Sequence, residues 1–124
     1  MSAIPGLSRA YNAGAAVRAR RLVKFSAELT VIEATAATDL IIGVADSLDV
    51  PATDRVDVFK EGVIPVLLGG TVAAGAPITS DGQGRGVTAA PGAGANNRII
   101  GFAETAGVSG DIIDVTLSLS IMQG

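Results

Sequence analysis

The chain has 124 residues, 48% of them hydrophobic, with 16 glycines, 5 prolines and a net charge of −3. It contains neither cysteine nor histidine, which excludes disulfides, thiol nucleophiles, the common zinc ligand sets and the usual neutral-pH general base. The apolar share is mostly Ala, Val, Ile and Leu, with Tyr11, Phe25, Phe59 and Phe102 as the aromatics; small branched side chains among so many turn formers point to one all-β domain of short strands.

Residues 1–24 carry Arg9, Arg18, Arg20, Arg21 and Lys24 and no acid, whereas residues 25–124 set Arg55, Lys60, Arg85 and Arg98 against all 12 acids. That asymmetry predicts a basic, extended N-terminal arm over 1–24 and an acidic, β-rich body over 25–124. The arm lacks an apolar run of signal-peptide length, and Val63 to Ser80 is broken by Pro65, Gly69, Gly70, Gly75 and Pro77. Neither a secretory signal nor a membrane span is expected, and the chain reads as soluble and made in the cytoplasm. Pro5, Gly6, Asn12 and Gly14 oppose a continuous helix, which leaves Ala15 to Leu22 room for two marginal helical turns. Three readings of the arm stand. It is a frayed terminus; or it orders on an acidic partner, with Ile4, Leu7, Tyr11 and Val17 as apolar contacts and Arg9, Arg18, Arg20 and Arg21 as charged ones; or it touches nucleic acid, which the lack of interleaved aromatics disfavours.

Strands follow in order. Phe25 to Glu33 places Phe25, Ala27, Leu29 and Val31 on one face, and Leu40-Ile41-Ile42 ends near Gly43. Arg55 to Phe59 alternates around Val56 and Val58, and Gly62 to Leu68 carries Pro65, which favours an edge or a bulge. Ala76 to Thr79 and Gly86 to Ala89 flank Ser80-Asp-Gly-Gln-Gly84, a hairpin turn with Asp-Gly at its centre. Ala90 to Asn97 is a loop, and Arg98 to Ala103 is a strand. Val115 to Ile121 alternates strictly, with Val115, Leu117, Leu119 and Ile121 on one side, and predicts a half-buried strand.

One pattern occurs twice. Ile41, Ile42, Gly43, Ala45 and Val50 align with Ile99, Ile100, Gly101, Ala103 and Val108, Asp46 and Ser47 with Glu104 and Thr105, and Asp57-Val58 with Asp114-Val115. Each copy reads as strand, loop, strand, in which two isoleucines fill an interior and the glycine admits a bulge or a close backbone. Neither copy can hide its apolar face alone, so the two are expected to close a small barrel or sandwich of two related halves.

Chemistry finds little purchase. Gly82-x-Gly84-x-Gly86 lacks the Lys-Ser/Thr and the helix of a phosphate loop, and the Asp-Gly hairpin explains its glycines. Asp46 and Glu104 occupy matching places, but turn formation accounts for them better than acid/base catalysis. Asp46, Asp49 and Asp54 do not have the spacing of a calcium loop. No cofactor or metal is expected.

The stretch Gly75-Ala-Pro-Ile-Thr-Ser-Asp-Gly-Gln-Gly-Arg-Gly-Val-Thr-Ala-Ala90, followed by Ile99-Ile-Gly-Phe-Ala-Glu-Thr-Ala-Gly-Val-Ser-Gly-Asp-Ile-Ile-Asp-Val-Thr-Leu117, resembles small tailed-phage capsid cement (decoration) proteins. Their pattern is a Gly-x-Pro-Val-Thr-Ser-Asp hairpin, then Ile-Ile-Gly-x-Ala, then Ala-x-x-Gly and an acid-x-x-x-Val-x-Leu strand. The resemblance covers about residues 25–121; segment 1–24 departs from the shortest members. It implies a non-catalytic β-rich protein on the outer surface of an assembled head. Its partners would be the major capsid protein and copies of itself, with a trimer favoured and a dimer the alternative. A carbohydrate- or host-surface-binding virion module is the rival, though such sites stack exposed aromatics and this chain has few. A carboxylate-metal hydrolase is a more distant one.

Overall fold

The computed structural model describes residues 4–5 and 7–124, with side chains from Leu7 onward. Every regular element among them is a strand: β1 (Ile4–Pro5), β2 (Ser8–Ala13), β3 (Leu22–Ala27), β4 (Thr30–Glu33), β5 (Ile41–Ala45), β6 (Arg55–Phe59), β7 (Gly62–Leu67), β8 (Pro77–Ser80), β9 (Gly86–Thr88), β10 (Asn96–Ala103) and β11 (Ile112–Gln123). The first sheet is a closed barrel, β2-β4-β3-β5-β6, and the second runs β1-β7-β11-β10-β8-β9.

Setting β1 aside, the second sheet repeats the first strand for strand: β7, β11, β10, β8 and β9 stand for β2, β6, β5, β3 and β4. The registers repeat as well. Tyr11 opposite Val56 becomes Val66 opposite Ile113. Val23 opposite Gly43 becomes Ile78 opposite Gly101. Val23 opposite Glu33 becomes Ile78 opposite Thr88. The parallel closure at Ala13 and Val31 shrinks in the second half to one bridge, Leu68 with Gly86. The duplication therefore extends well beyond the segments in which it is legible in the sequence, and the halves meet between β6 and β7.

Residues 8–24 accordingly lie within the first barrel, in strands β2 and β3, and not outside it. Tyr11, Ala13, Val17, Leu22 and Val23 are buried, because Tyr11 and Ala13 face inward while Ser8 and Asn12 face out, and Arg9, on the side of Tyr11, lies exposed at the barrel mouth. Ala15 to Leu22 forms no helix; Val17 bridges to Val50 and Arg20 turns the chain at a φ of 61°. Phe25 to Glu33 is not one strand either. It folds back at Glu28-Leu29, with Leu29 at a φ of 53°, so Phe25 and Leu29 lie exposed near the bend.

Two apolar clusters hold the molecule. Tyr11, Ala13, Val17, Val23, Val31, Ile42, Ala45, Val56 and Val58 fill the first barrel. Val66, Leu68, Val72, Ile78, Ile100, Ala103, Ile113 and Val115 occupy the same places in the second, and there Leu22, Ala34, Ile41 and Val44 of the first barrel join them. β5 is thus buried on both sides: Ile42 and Ala45 point into their own barrel, Ile41 and Val44 into the neighbour's cluster. Burying each large side chain of that face contributes about 1.5–3 kcal/mol. Across the seam, Leu22 N–H donates to Gly84 O (2.8 Å), Arg98 N–H to Ala37 O (2.9 Å) and Leu67 N–H to Arg20 O (3.2 Å).

β11 differs from its sequence reading in length and burial. Ile113, Val115 and Leu117 are buried, but Leu119 and Ile121 are exposed. β7 accompanies β11 only as far as Thr116, and beyond it β10 is the one strand paired with β11 among the described residues.

Candidate functional site

Two surfaces present apolar side chains to solvent, one at the Tyr11 end of the first barrel and one on β11 beside the junction of the barrels. At the first, Tyr11 stops the barrel. Lys60 Nζ donates to its hydroxyl at 3.0 Å, the Arg9 guanidinium lies 5.5 Å from the ring centroid, and Phe25 meets it edge-on at 5.5 Å and 79°. Such cation and edge contacts each add about 0.5–1.5 kcal/mol. The positions matching Arg9 and Lys60 in the second barrel are Ile64 and Leu117, both buried in the cluster that includes the first barrel's outer face. One barrel end is sealed by its neighbour. The other seals itself with an aromatic ring under two cations, and Leu7, Phe25 and Leu29 stay exposed there.

The charged residues of the front segment are largely engaged within the chain. Arg18 grips Glu33 with two guanidinium bonds of 2.9 and 2.8 Å, and its backbone N–H donates to the same carboxylate. Lys24 pairs with Asp39 at 2.9 Å. Arg21 is 9% exposed; its Nη1 donates to Gln83 O at 2.8 Å and its Nε has no partner. Burial lowers the Arg21 pKa, with the nearby Arg18 charge acting in the same direction. Arg20 is half-buried in its turn. Of the residues singled out in the sequence, then, Leu7, Arg9 and Arg18 reach the surface, Tyr11 and Arg21 are interior, and the Ile4 side chain lies outside the described residues. The backbone of Ile4 pairs with Val63.

The carboxylates shape loops. Asp46 Oδ1 accepts from Ser47 N–H and Asp49 from Ala19 N–H. Glu104 accepts from the Thr116 hydroxyl, and Asp111 from Val108 N–H. Asp81 Oδ1 accepts from the N–H groups of Gln83 and Arg85, which makes the Gly82-x-Gly84-x-Gly86 segment a hairpin turn. No group of three acidic residues suited to a metal ion is present among the described residues.

The second surface escaped sequence reasoning. Leu119, Ile121 and Met122 are exposed on β11, and Leu40 of the first barrel is exposed as well. A cleft of about 220 Å³ lies at the junction, lined by Thr38, Leu40, Asn96, Asn97, Arg98 and Ile121. Strict alternation in Val115 to Ile121 signalled a strand with one apolar face, but not that its cover would stop partway. These surfaces offer adhesion: apolar area beside Arg9 and Lys60 at the first, and apolar area beside Arg98 and two asparagines at the second.

The sequence matches a family described as phage cement protein over residues 5–118, a span that includes both barrels. No curated protein matches it. Among solved structures, the head fiber gp8.5 N base of bacteriophage phi29 is similar, with a TM-score of 0.70 and 20% identity over 95% of this chain and 98% of that one. At that identity the likeness is one of fold.

Proposed function

The chain belongs to the phage cement protein family, and from that premise we propose that it binds the outer surface of the assembled head and stabilises contacts between capsomers against the pressure of packaged DNA. Family membership gives it a capsid-associated structural role; the family match across both barrels is the observation that carries the finer reading. The fold supports it. Two barrels joined through one apolar cluster form a stiff body with two exposed apolar surfaces, suited to gripping a shell and neighbouring copies. Leu7 and Arg9, beside the Tyr11 plug, are the front-segment residues best placed to touch the major capsid protein. On the family resemblance, copies assemble as a trimer in preference to a dimer. The protein acts by adhesion on the virion exterior after synthesis in the host cytoplasm, and not by catalysis.

The physical mechanism is linkage: a molecule that binds only the intact shell stabilises it by mass action, and many clamps or an oligomeric clamp multiply the effect. Mixing the purified protein with undecorated heads tests it. Saturable, stoichiometric binding with a rise in the temperature of head disruption is expected. Absence of binding, or binding that leaves that temperature unchanged, defeats the proposal.

A further inference from the structure

The two halves of this chain show how its barrels fit together. Leu22 on β3, Val44 on β5 and Phe59 on β6 lie opposite one another in a row across the outer side of the first barrel. The end of the second barrel covers that row. Leu22 and Val44 are fully buried in one cluster with Ile64 and Leu117, and Phe59 packs against it. The bend between β8 and β9 lands beside them, where Gly84 O accepts from Leu22 N–H (2.8 Å) and Gln83 O from Arg21 Nη1 (2.8 Å).

The second barrel carries the same row, with Pro77 opposite Phe102 and Phe102 opposite Thr116. This row is open: Phe102 is 42% exposed, and Ile112, on the same face of β11 as Thr116, is 41% exposed. Acids flank it. Glu104 accepts from the Thr116 hydroxyl, Asp114 shares its face of β11, and neither pairs with a cation among the described residues. The first barrel in turn has an end that covers nothing. Its β3–β4 bend, Glu28-Leu29, is the counterpart of Gln83-Gly84, with Leu29 and Gly84 both at positive φ. Leu29 and nearby Phe25 are exposed there. Lys60 stands where the second barrel has Leu117. It pairs with no carboxylate among the described residues, Glu28 and Glu61 in the adjoining turns included.

We propose that the bend side of the first barrel's open end docks on the open row of a second copy, with Phe25 and Leu29 packing against Pro77 and Phe102 and with Lys60 facing Glu104 and Asp114. The occupant follows from the contact inside the chain, in which the matching bend of one barrel meets the matching row of the other. Opposite charges on the two open surfaces favour the same pairing. Pro77 has no N–H to repeat the Leu22 bond, and Leu29 offers a side chain where Gly84 offers backbone, so side chains carry the contact between copies. Leu7 and Arg9, on β2, stay with the shell. Because the two surfaces differ, the contact is head-to-tail, and copies joined this way form a ring when the rotation closes. This contact deepens the self-association in the proposed function and rests on it, yet it stands or falls separately from head binding.

Light scattering on the full chain after size exclusion tests it. The wild type is expected at a multiple of 12.3 kDa. Leu29→Asp, which keeps a residue tolerant of positive φ, and Phe102→Asp are each expected to run as monomers with the wild-type circular dichroism, the dissociation constant raised about 100-fold or more. Mixed together, the two variants are expected to form a one-to-one dimer, because each retains the surface that the other lacks; a contact between identical surfaces gives no such rescue. Leu48→Asp, on an exposed loop of the first barrel, serves as control and keeps the wild-type mass. The milder Leu29→Asn and Phe102→Ser repeat the test where an aspartate disturbs the fold. A monomeric wild type overturns the inference, and so do variants that keep the wild-type mass or stay monomeric when mixed. Variants that keep their mass but lose head binding would assign these surfaces to the capsid and overturn it too. A wild type that assembles through them but ignores heads would uphold it while defeating the head-binding reading.

Discussion

At Gly43 and Gly101 two backbones nearly touch. A methyl group at Gly43 would run into the carbonyl of Phe59, and one at Gly101 into that of Thr116. Both glycines lie beside register shifts in their ladders, which is why the repeated Ile-Ile-Gly keeps its glycine in both copies. Gly101→Ala should destabilise the fold by about 3 kcal/mol, the upper end for an overpacked site; urea denaturation measures it. The repeat also rationalises three residues with positive φ. Arg20, Leu29 and Thr53 stand where the second half has Gly75, Gly84 and Gly110, so the first half bears strain that the second avoids. Among the carboxylates, burial pushes Glu33 up, but the hydrogen bonds and charge of Arg18 outweigh it and hold its pKa below the ordinary 4.5. Burial likewise opposes Asp39, and bonds from Thr35 and Lys24 carry it below 3.8. A depressed carboxylate contributes stability that is fully present above its unfolded value and lost as pH falls through its folded one. Thermal melts should therefore fall as pH drops below about 4.5, and a Glu33→Gln/Asp39→Asn variant should lose less between neutral and acid pH than the wild type.

Elements of matching sequence have different surroundings. β5 is buried on both faces because the second barrel covers its outer side, whereas Phe102, the counterpart of Val44 on β10, is exposed. β11 shows the same dependence along one strand. Leu117 lies in the shared cluster and Leu119, two residues on, has lost its cover. Leu117→Asp should unfold the chain or cost about 3–5 kcal/mol, the penalty for an unpaired buried charge. Leu119→Asp should remain folded. Circular dichroism and denaturant titration of the pair separate the two positions, which their shared alternation in the sequence makes look equivalent.

For the whole molecule the decisive feature is that one apolar cluster serves both halves. Because Ile41 belongs to the first barrel and packs into the second barrel's cluster, Ile41→Ala should lower the stability of the entire chain by about 2–5 kcal/mol in one cooperative transition. Hydrogen exchange should show protection lost in β10 and β11 together with β3 and β5; two separate transitions would contradict the shared core. The sequence by itself determined that the protein is all-β, that it lacks cysteine and histidine, and that Ile-Ile-Gly and its flanks recur. Those properties rest on composition, on the two-residue period of a strand and on glycine's missing Cβ, all of which act locally. It did not reveal that β2 and β7 are counterparts, since Gly14 and Gly69, Val17 and Val72 are too sparse a match to notice. Nor did it show that Ser8 to Lys24 belongs to the barrel, because the basic side chains along the segment masked the inward Tyr11 and Ala13. Which faces are covered was decided by tertiary structure alone: burial depends on what a distant segment places against a strand, and no residue's own neighbours in the chain carry that information.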